Sequence, residues 1–146
     1  MEYKRFGDTF IVRLDRGEEI IESLGRLSEA ENIRLADVRG LGATNDFTVG
    51  VYDVEERLYH PLSFTGPHEI VSLTGNINTM AGGFYCHLHM SAGDLTGRVV
   101  GGHLTRCRIS ATGELVITLV NGRVDRRRDD AVTGLNLFAF EDGKTL

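Results

Sequence analysis

The sequence predicts an α+β fold in which a mainly antiparallel β-sheet packs against one main α-helix. Three observations predict it: one segment has helical periodicity, many short segments resemble strands, and Gly or Asn clusters separate almost all of them. Regular alternation of strands and helices, the mark of a parallel sheet, is not visible. Because 146 residues is one domain's length, we expect a single domain over 1–146 with a core over about 6–141.

The first strand and the helix follow each other near the N-terminus. Apolar and polar residues alternate over 6–14, which predicts a strand. From Glu18 onward, apolar residues recur every three or four positions, which predicts an amphipathic helix over about 17–31. Glu18 and Glu19 suit its first turn, since the positive end of the helix dipole stabilises carboxylates there. The predicted apolar face comprises Ile20, Ile21, Leu24 and Leu27.

The rest of the chain consists of strand-like segments separated by turn residues. The C-terminal residues 132–140 are expected to form either a further strand or a capping segment. The other predicted strands cover residues 33–41, 46–53, 57–59, 69–80, 83–90, 97–104 and 114–120.

The charge balance argues against direct, non-specific nucleic-acid binding. Sixteen basic and 21 acidic residues give a net charge of -5, whereas such binders are normally basic. The basic run 126–128 is flanked by Asp125, Asp129 and Asp130, so we interpret it as a solvated charged segment rather than a phosphate-binding patch. No Arg precedes a Gly-Arg pair, so the AT-hook, which enters the minor groove, is absent.

Composition and the N-terminal residues predict a soluble cytoplasmic protein without a membrane span. Hydrophobic residues make up 41% and charged residues 25%, which is typical of a globular domain. Four of the first eight residues are charged, and this segment lacks the apolar stretch of a secretory signal. Cys86 and Cys107 form no Cys-x-x-Cys motif and are expected to be buried free thiols.

Three of the five histidines form a candidate metal site. His87 and His89 are two positions apart on a predicted strand, so their side chains share one face about 6.5–7 Å apart. The turn-rich segment 91–97 can fold the next strand back and bring His103 beside them. Three neutral imidazoles with an open fourth position are a known zinc arrangement, and nickel, cobalt or copper also suit such ligands.

A structural role for these histidines is the competing interpretation. In that case His87 and His89 line a polar sheet face, and a backbone hydrogen bond holds His103. Gly101 and Gly102 before it allow a bend, a bulge, positive φ values or close backbone approach. An anion-binding loop is less favoured there, because no Lys-Ser or Lys-Thr follows.

The remaining polar candidates favour structural roles. His60 precedes Pro61 and His68 follows Pro67, which predicts loops or the starts of strands for both. Glu69 enters an apolar strand and is interpreted as a hydrogen-bonding strut or interface charge, with a general base as the alternative. The sequence lacks Gly-x-Ser-x-Gly and Gly-x-Gly-x-x-Gly motifs, and no residue is assigned a catalytic role.

Three segments together resemble the plant-and-prokaryote conserved (PPC) domain over about residues 6–141. They are Gly66-Pro67-His68-Glu69-Ile70-Val71-Ser72-Leu73, Gly101-Gly102-His103-Leu104 and the apolar strand 115–120. Plant members carry Gly-Arg-Phe-Glu-Ile-Leu-Ser-Leu at the first segment, and Pro67 and His68 depart from it. This departure makes plant-type contacts with transcription factors less expected here, whereas the fold is unaffected.

The resemblance implies an antiparallel sheet packed with a helix and assembled into a homotrimer. Standalone prokaryotic members are described as candidate DNA-binding proteins, although plant members contact DNA through the AT-hook that this chain lacks. Members that combine His-x-His with Gly-Gly-His resemble metal binders, which supports a divalent ion, zinc first, at His87, His89 and His103.

Two classes of function follow. The first is a trimeric DNA-binding or regulatory module that recognises protein partners and carries the three-histidine site. The alternative is a small metal-dependent enzyme or metal sensor of unknown substrate.

Overall fold

Eight strands and one helix make up the computed structural model, which describes residues 1–141, 143 and 144. The helix α1 spans Ile20–Ala30. The strands are β1 (Glu2–Phe6), β2 (Thr9–Asp15), β3 (Ala36–Asp53), β4 (Leu58–Met80), β5 (Gly83–Asp94), β6 (Val99–Leu119), β7 (Asp125–Arg128) and β8 (Asn136–Ala139). The α+β class with a mostly antiparallel sheet and one helix is confirmed.

All eight strands belong to one sheet, and four of them pair in a closed ring. The main order is β1-β2-β6-β3-β4-β7-β8, while β5 pairs with both β4 and β6. Since β3 also pairs with β4 and β6, the pairing runs from β3 through β4, β5 and β6 back to β3. Among the described strands, the β4–β7 pairing is the parallel one. The ring places residues distant in sequence on neighbouring strands.

The core lies between α1 and the inner face of the sheet. Helix α1 contacts β5 and β6 and buries Ile20, Leu24 and Leu27, as the helical spacing predicts. At its N-terminus, the Glu19 carboxylate accepts hydrogen bonds from the backbone N–H groups of Glu22 and Cys107, both at 2.8 Å. This buried carboxylate therefore caps the helix and ties it to β6.

The strands differ from the prediction in one turn and in three joined gaps. The predicted strand 6–14 is interrupted by a turn at Gly7, whose φ is +59°, so that β1 and β2 form a hairpin. Residues 42–45 join two predicted strands into β3, and 105–113 do the same in β6. Residues 60–68, which separate two predicted strands, belong to β4. His60 lies near the start of this strand, as one of its two predicted placements has it, whereas His68 lies well inside the strand, which corrects its prediction.

Prolines are tolerated in β4 because that part of the strand lies at an edge. Pro61 pairs with Gly50 of β3, and β5 joins the other side of β4 from His68 onward. A missing N–H group is acceptable on an edge. No helix within the described residues has the length and apolar character required to cross a membrane.

The C-terminal prediction of a strand or a capping segment resolves to the strand β8, which pairs with β7. Of the predicted domain 1–146, residues 142, 145 and 146 lie outside the described part, whereas the predicted core of 6–141 lies within it.

Candidate metal centre

Strand β5 places His87 and His89 on the sheet face opposite the core. Leu88, Met90 and Ala92 are buried, whereas the alternate positions are more accessible, with His87 half-buried and His89 exposed. The alternation that predicted a shared face for the two histidines therefore holds. His89 provides the solvent-accessible side of the pair.

Strand β6 supplies the third imidazole. In the antiparallel register, His103 lies opposite His89, and Asp94 organises the turn between the strands. Asp94 Oδ1 accepts hydrogen bonds from the backbone N–H groups of Thr96 at 2.8 Å and Arg98 at 3.1 Å. The turn thus fixes the register that brings His103 to the other two histidines.

The three imidazoles converge. The ring centroids of His87 and His89 lie 5.2 Å apart, those of His87 and His103 5.1 Å, and those of His89 and His103 5.7 Å. One ring nitrogen from each residue lies within 4.8 Å of those of the other two. This set of three imidazole nitrogens suits zinc and the neighbouring divalent transition metals.

The surroundings keep two of the imidazoles neutral. Burial, reinforced by the nearby His103, Arg126 and His89, lowers the pKa of His87 to about 4. Burial and the neighbouring His89 also lower the pKa of His103. Because a metal binds the neutral form of histidine, this environment prepares both side chains for coordination at neutral pH.

Gly101 and Gly102 let the backbone of β6 lie close to the backbones of β5 and β3. Neither residue has a positive φ. A Cβ atom at Gly101 would lie 2.6 Å from the Met90 carbonyl oxygen, and one at Gly102 would lie 2.5 Å from the Gly50 carbonyl oxygen. Side chains here would push β6 away from β5 and β3. The two glycines therefore allow the strand that carries His103 to pack closely against its two neighbours.

Tyr59 holds the same stretch of β6, a role that the sequence did not reveal. Its hydroxyl donates to the His103 carbonyl oxygen at 3.1 Å and lies 2.7 Å from Thr105 Oγ1. Its ring meets the His103 ring edge-on, with 5.9 Å between centroids. Tyr59 is 44 positions away in the chain, so short-range spacing gives no signal for this contact.

Arg126 and Asn76 flank the site on the other side. Asn76 of β4 lies opposite His87 in the register, and Arg126 Nη2 donates to Asn76 Oδ1 at 3.1 Å. Arg126 is buried, with 8% of its surface exposed. The interpretation of 126–128 as a uniformly solvated segment is therefore wrong at Arg126, because β7 turns this side chain inward beneath Phe138 and Tyr85.

The remaining polar candidates lie outside the three-histidine cluster. His68 Nδ1 is 2.9 Å from the Gly66 carbonyl oxygen, and its ring packs edge-on against Phe47, so its role is structural. Glu69 is exposed on β4, in register with Ala43 and Gly93, which fits an interface charge better than a base at the histidines.

His60 has neighbours that sequence spacing did not reveal. It is exposed, with Nε2 3.6 Å from Glu56 Oε2. Donor atoms of Asp53, Glu56 and His60 lie within 4.8 Å of one another at the end of the β3–β4 hairpin. Glu56 and His60 are exposed, and exposed groups of this kind are common without an ion.

Both thiols are free, as predicted, but only Cys107 is fully buried, whereas Cys86 is half-buried. Burial raises the pKa of Cys86 and of Cys107 to about 11. They are therefore protonated and unreactive at neutral pH.

Comparison with known families identifies one domain over most of the chain. The model of the Plants and Prokaryotes Conserved (PCC) domain matches residues 1–121. No curated protein matches the chain significantly.

Several solved structures share the fold. A crystal structure from Bacteroides thetaiotaomicron, described as a "putative DNA binding protein", is 29% identical with a TM-score of 0.92, covering 96% of this chain and 97% of that one. A metal-containing protein from Archaeoglobus fulgidus is 31% identical with a TM-score of 0.84, covering 95% and 97%. A plant- and prokaryote-conserved (PPC) protein from Pyrococcus horikoshii is 26% identical with a TM-score of 0.83, covering 95% and 94%.

Proposed function

Because this chain belongs to the Plants and Prokaryotes Conserved domain family, we propose that it is a homotrimeric regulatory or interaction module with a divalent metal site. The ligands are His87, His89 and His103, and zinc is the first candidate ion. The observation that carries the proposal is the convergence of three ring nitrogens within 4.8 Å on two paired strands.

The chemistry of the three histidines supports a metal more than a structural role. In their described surroundings, no hydrogen bond to a protein acceptor holds any of the three imidazole rings. A structural histidine elsewhere in this chain, His68, does make such a contact through Nδ1. Three half-buried or exposed rings that face one another without such partners leave their nitrogens free for an ion. The Archaeoglobus fulgidus relative, 31% identical, is described as metal-containing.

The site is open on the side of His89, which favours a second candidate function. A divalent ion held by three protein ligands supplies Lewis acidity at its remaining position. His87 and His103 would orient it from the half-buried side, and the exposed His89 leaves access for a small molecule. A small metal-dependent enzyme or a metal sensor is therefore the alternative to the interaction module.

The link to DNA is proposed to be indirect. The relatives from Bacteroides thetaiotaomicron and Ralstonia eutropha are each described as a "putative DNA-binding protein". This chain carries a net charge of -5 and no AT-hook sequence, so partner proteins would mediate contact with DNA. The free thiols Cys86 and Cys107 suit the reducing cytoplasm, which is the proposed location.

Elemental analysis tests the proposed metal site. Protein exposed to zinc and freed of excess ion is compared with the variants His87→Ala, His89→Ala and His103→Ala, with His60→Ala as the matched control. We expect about one zinc ion per chain in the wild type and the control, and a substantial loss in each of the three variants. A wild type that stays metal-free, or three variants that all keep the wild-type stoichiometry, would overturn the proposal.

The oligomer and its stability distinguish the two candidate functions. If metal removal leaves the trimer and its thermal stability intact, the ion serves the enzyme or sensor function. If metal removal dissociates or unfolds the trimer, the ion is part of the scaffold of an interaction module.

A further inference from the structure

Arg126 is a buried cation without an acidic partner in the described part of the chain. It has 8% of its surface exposed, and no described carboxylate lies within the 4.0 Å that defines an ion pair with it. The neighbouring Asp125 turns the other way, with Oδ2 3.7 Å from Arg123 Nη2. Burying an unpaired charge is costly, so the position of Arg126 calls for a compensating negative group.

Neutral groups satisfy part of the hydrogen-bonding capacity of Arg126 but do not balance its charge. Three of the five guanidinium N–H groups donate: Nε to Asn78 Oδ1 at 3.3 Å, Nη1 to the Asn136 carbonyl oxygen at 2.7 Å and Nη2 to Asn76 Oδ1 at 3.1 Å. The guanidinium carbon lies 4.8 Å from the Tyr85 ring centroid and 4.2 Å from that of Phe138. These contacts orient the cation, but none of them carries a negative charge.

This cation adjoins the candidate metal site. Asn76, which accepts from Arg126, is the cross-strand neighbour of His87, and such neighbours have Cβ atoms about 4.5–5.5 Å apart. The positive charge of Arg126 also contributes to the low pKa of His87. The family model matches residues 1–121, and Arg126 lies beyond them on the β7–β8 hairpin. This positive charge beside the site therefore comes from a part of the chain that the family model does not cover.

The charges of the site favour a negative ligand. The three candidate ligands are neutral imidazoles, and the cluster contains no carboxylate. A divalent ion there would keep its full charge, and Arg126 would add one more. Oxyanions are the ligands that both a divalent cation and a guanidinium attract.

We propose that the open position of the three-histidine site takes an oxyanion, the carboxylate or phosphate group of a small molecule, with Arg126 as the positioning residue for its charge. This inference rests on the proposed metal site. Arg126 acts through its positive field and through Asn76, which it holds beside His87.

Cobalt-substituted protein provides a test, because the visible spectrum of Co²⁺ reports its coordination directly. Acetate and inorganic phosphate serve as the two anion probes, and acetamide is the neutral counterpart of acetate. The variants are Arg126→Gln, which removes the charge, and Arg126→Lys, which keeps it. Arg127→Gln is the matched control, since Arg127 is exposed on the same strand.

We expect acetate or phosphate, but not acetamide, to change the spectrum of the wild type. Arg126→Gln should raise the anion dissociation constant about tenfold, while Arg127→Gln changes it less than about twofold. Arg126→Lys should lose less than Arg126→Gln. The affinity for Co²⁺ itself should stay equal or increase in Arg126→Gln, because a repelling charge is removed. The anion that binds more tightly identifies the class of ligand.

Two failures are distinguishable. A wild type that does not bind Co²⁺ overturns the metal site and this inference with it. A wild type that binds Co²⁺ but shows no anion response, or equal anion affinity in wild type and Arg126→Gln, overturns this inference alone. If Arg126→Gln does not fold, Arg126→Met, which also removes the charge and keeps an unbranched side chain, takes its place: a weaker anion affinity than in the wild type supports the inference, and an equal affinity overturns it.

Discussion

His89 on β5 and His103 on β6 lie directly opposite each other in the antiparallel register, with 5.7 Å between their ring centroids. This pair joins the two sequence motifs of the candidate site. His87, two positions from His89, completes the cluster because side chains on a strand alternate between faces. The geometry of the site therefore depends on one hairpin register, which the Asp94 turn fixes.

The pH dependence of metal binding is the first prediction. Protons compete with a metal only below the pKa of each free imidazole. The pKa of His87 is lowered to about 4 and that of His103 is also lowered, so both stay neutral below the ordinary imidazole value of about 6.5. Because two of the three imidazoles take up no competing proton just below pH 6.5, the zinc dissociation constant should rise by no more than about tenfold per pH unit there.

Zinc titrations by calorimetry at pH 7.0, 6.0 and 5.0 would measure this dependence. The structure thus moves the expected loss of affinity to lower pH than unperturbed histidines would give. A rise of about a hundredfold or more per unit below pH 6.5 would show that two or three imidazoles titrate together and would contradict the prediction.

The second prediction concerns the close approach of Gly102 on β6 to the backbone of β3. In Gly102→Ala, the new Cβ would lie 2.5 Å from the Gly50 carbonyl oxygen, and β6 must move. We expect the free energy of unfolding to fall by about 1–3 kcal/mol and zinc binding to weaken, since His103 is the next residue. Urea denaturation and zinc titration measure the two effects.

Gly93→Ala is the control on the same hairpin. Its Cβ would meet Val71 and Val99 side chains at 3.6 and 3.8 Å, which is ordinary contact. The unfolding free energy should change by less than about 1 kcal/mol. Equal destabilisation by the two substitutions would show that the close approach at Gly102 has no special role.

The histidine cluster could be predicted from sequence because its signals are local. His87 and His89 lie within one strand, and a turn-rich segment connects them to His103, so strand alternation and one hairpin suffice. Asn76 lies opposite His87 across the tight β4–β5 hairpin, whereas Tyr59 and Arg126 reach the site from segments distant in the chain. Short-range spacing contains no information on those distant contacts.

The same distinction explains the errors in the fold prediction. The helix was recognisable because its apolar residues repeat every three or four positions and pack on the sheet. Within 60–68, apolar and polar residues alternate only over 62–65, because this edge of β4 is largely exposed, and Pro61 and Pro67 there resemble turn residues. Arg126 has the sequence context of a solvated charge, and only the β4–β7 pairing turns it inward.

The third prediction concerns DNA. The structure reduces the basic surface of the 126–128 run, because Arg126 is buried and Arg128 pairs with Asp130 at 2.7 Å. We therefore expect dissociation constants above about 1 µM for DNA of any sequence at physiological salt. Fluorescence anisotropy at two salt concentrations measures this. Sequence-specific submicromolar binding would contradict it, and Arg127→Gln would then test the exposed part of the run.

The last prediction is the homotrimer. Large apolar side chains are exposed on the arm formed by the end of β3 and the start of β4: Val51 is 63% exposed, Leu58 52% and Leu62 56%. Exposed apolar side chains gathered on one element are typical of a protein interface. These side chains favour association, and the resemblance to the PPC domain implies three copies, so light scattering should give about three times the chain mass of 16.1 kDa. A charge at the centre of the arm, as in Leu62→Asp, should lower that mass because a buried unpaired carboxylate opposes association.

Leu95→Asp is the matched control, since Leu95 is 85% exposed on the β5–β6 turn, and it should leave the mass unchanged. A mass near that of one chain at micromolar concentration would show that the wild type is a monomer, and a trimer unaffected by Leu62→Asp would place the interface elsewhere than this arm.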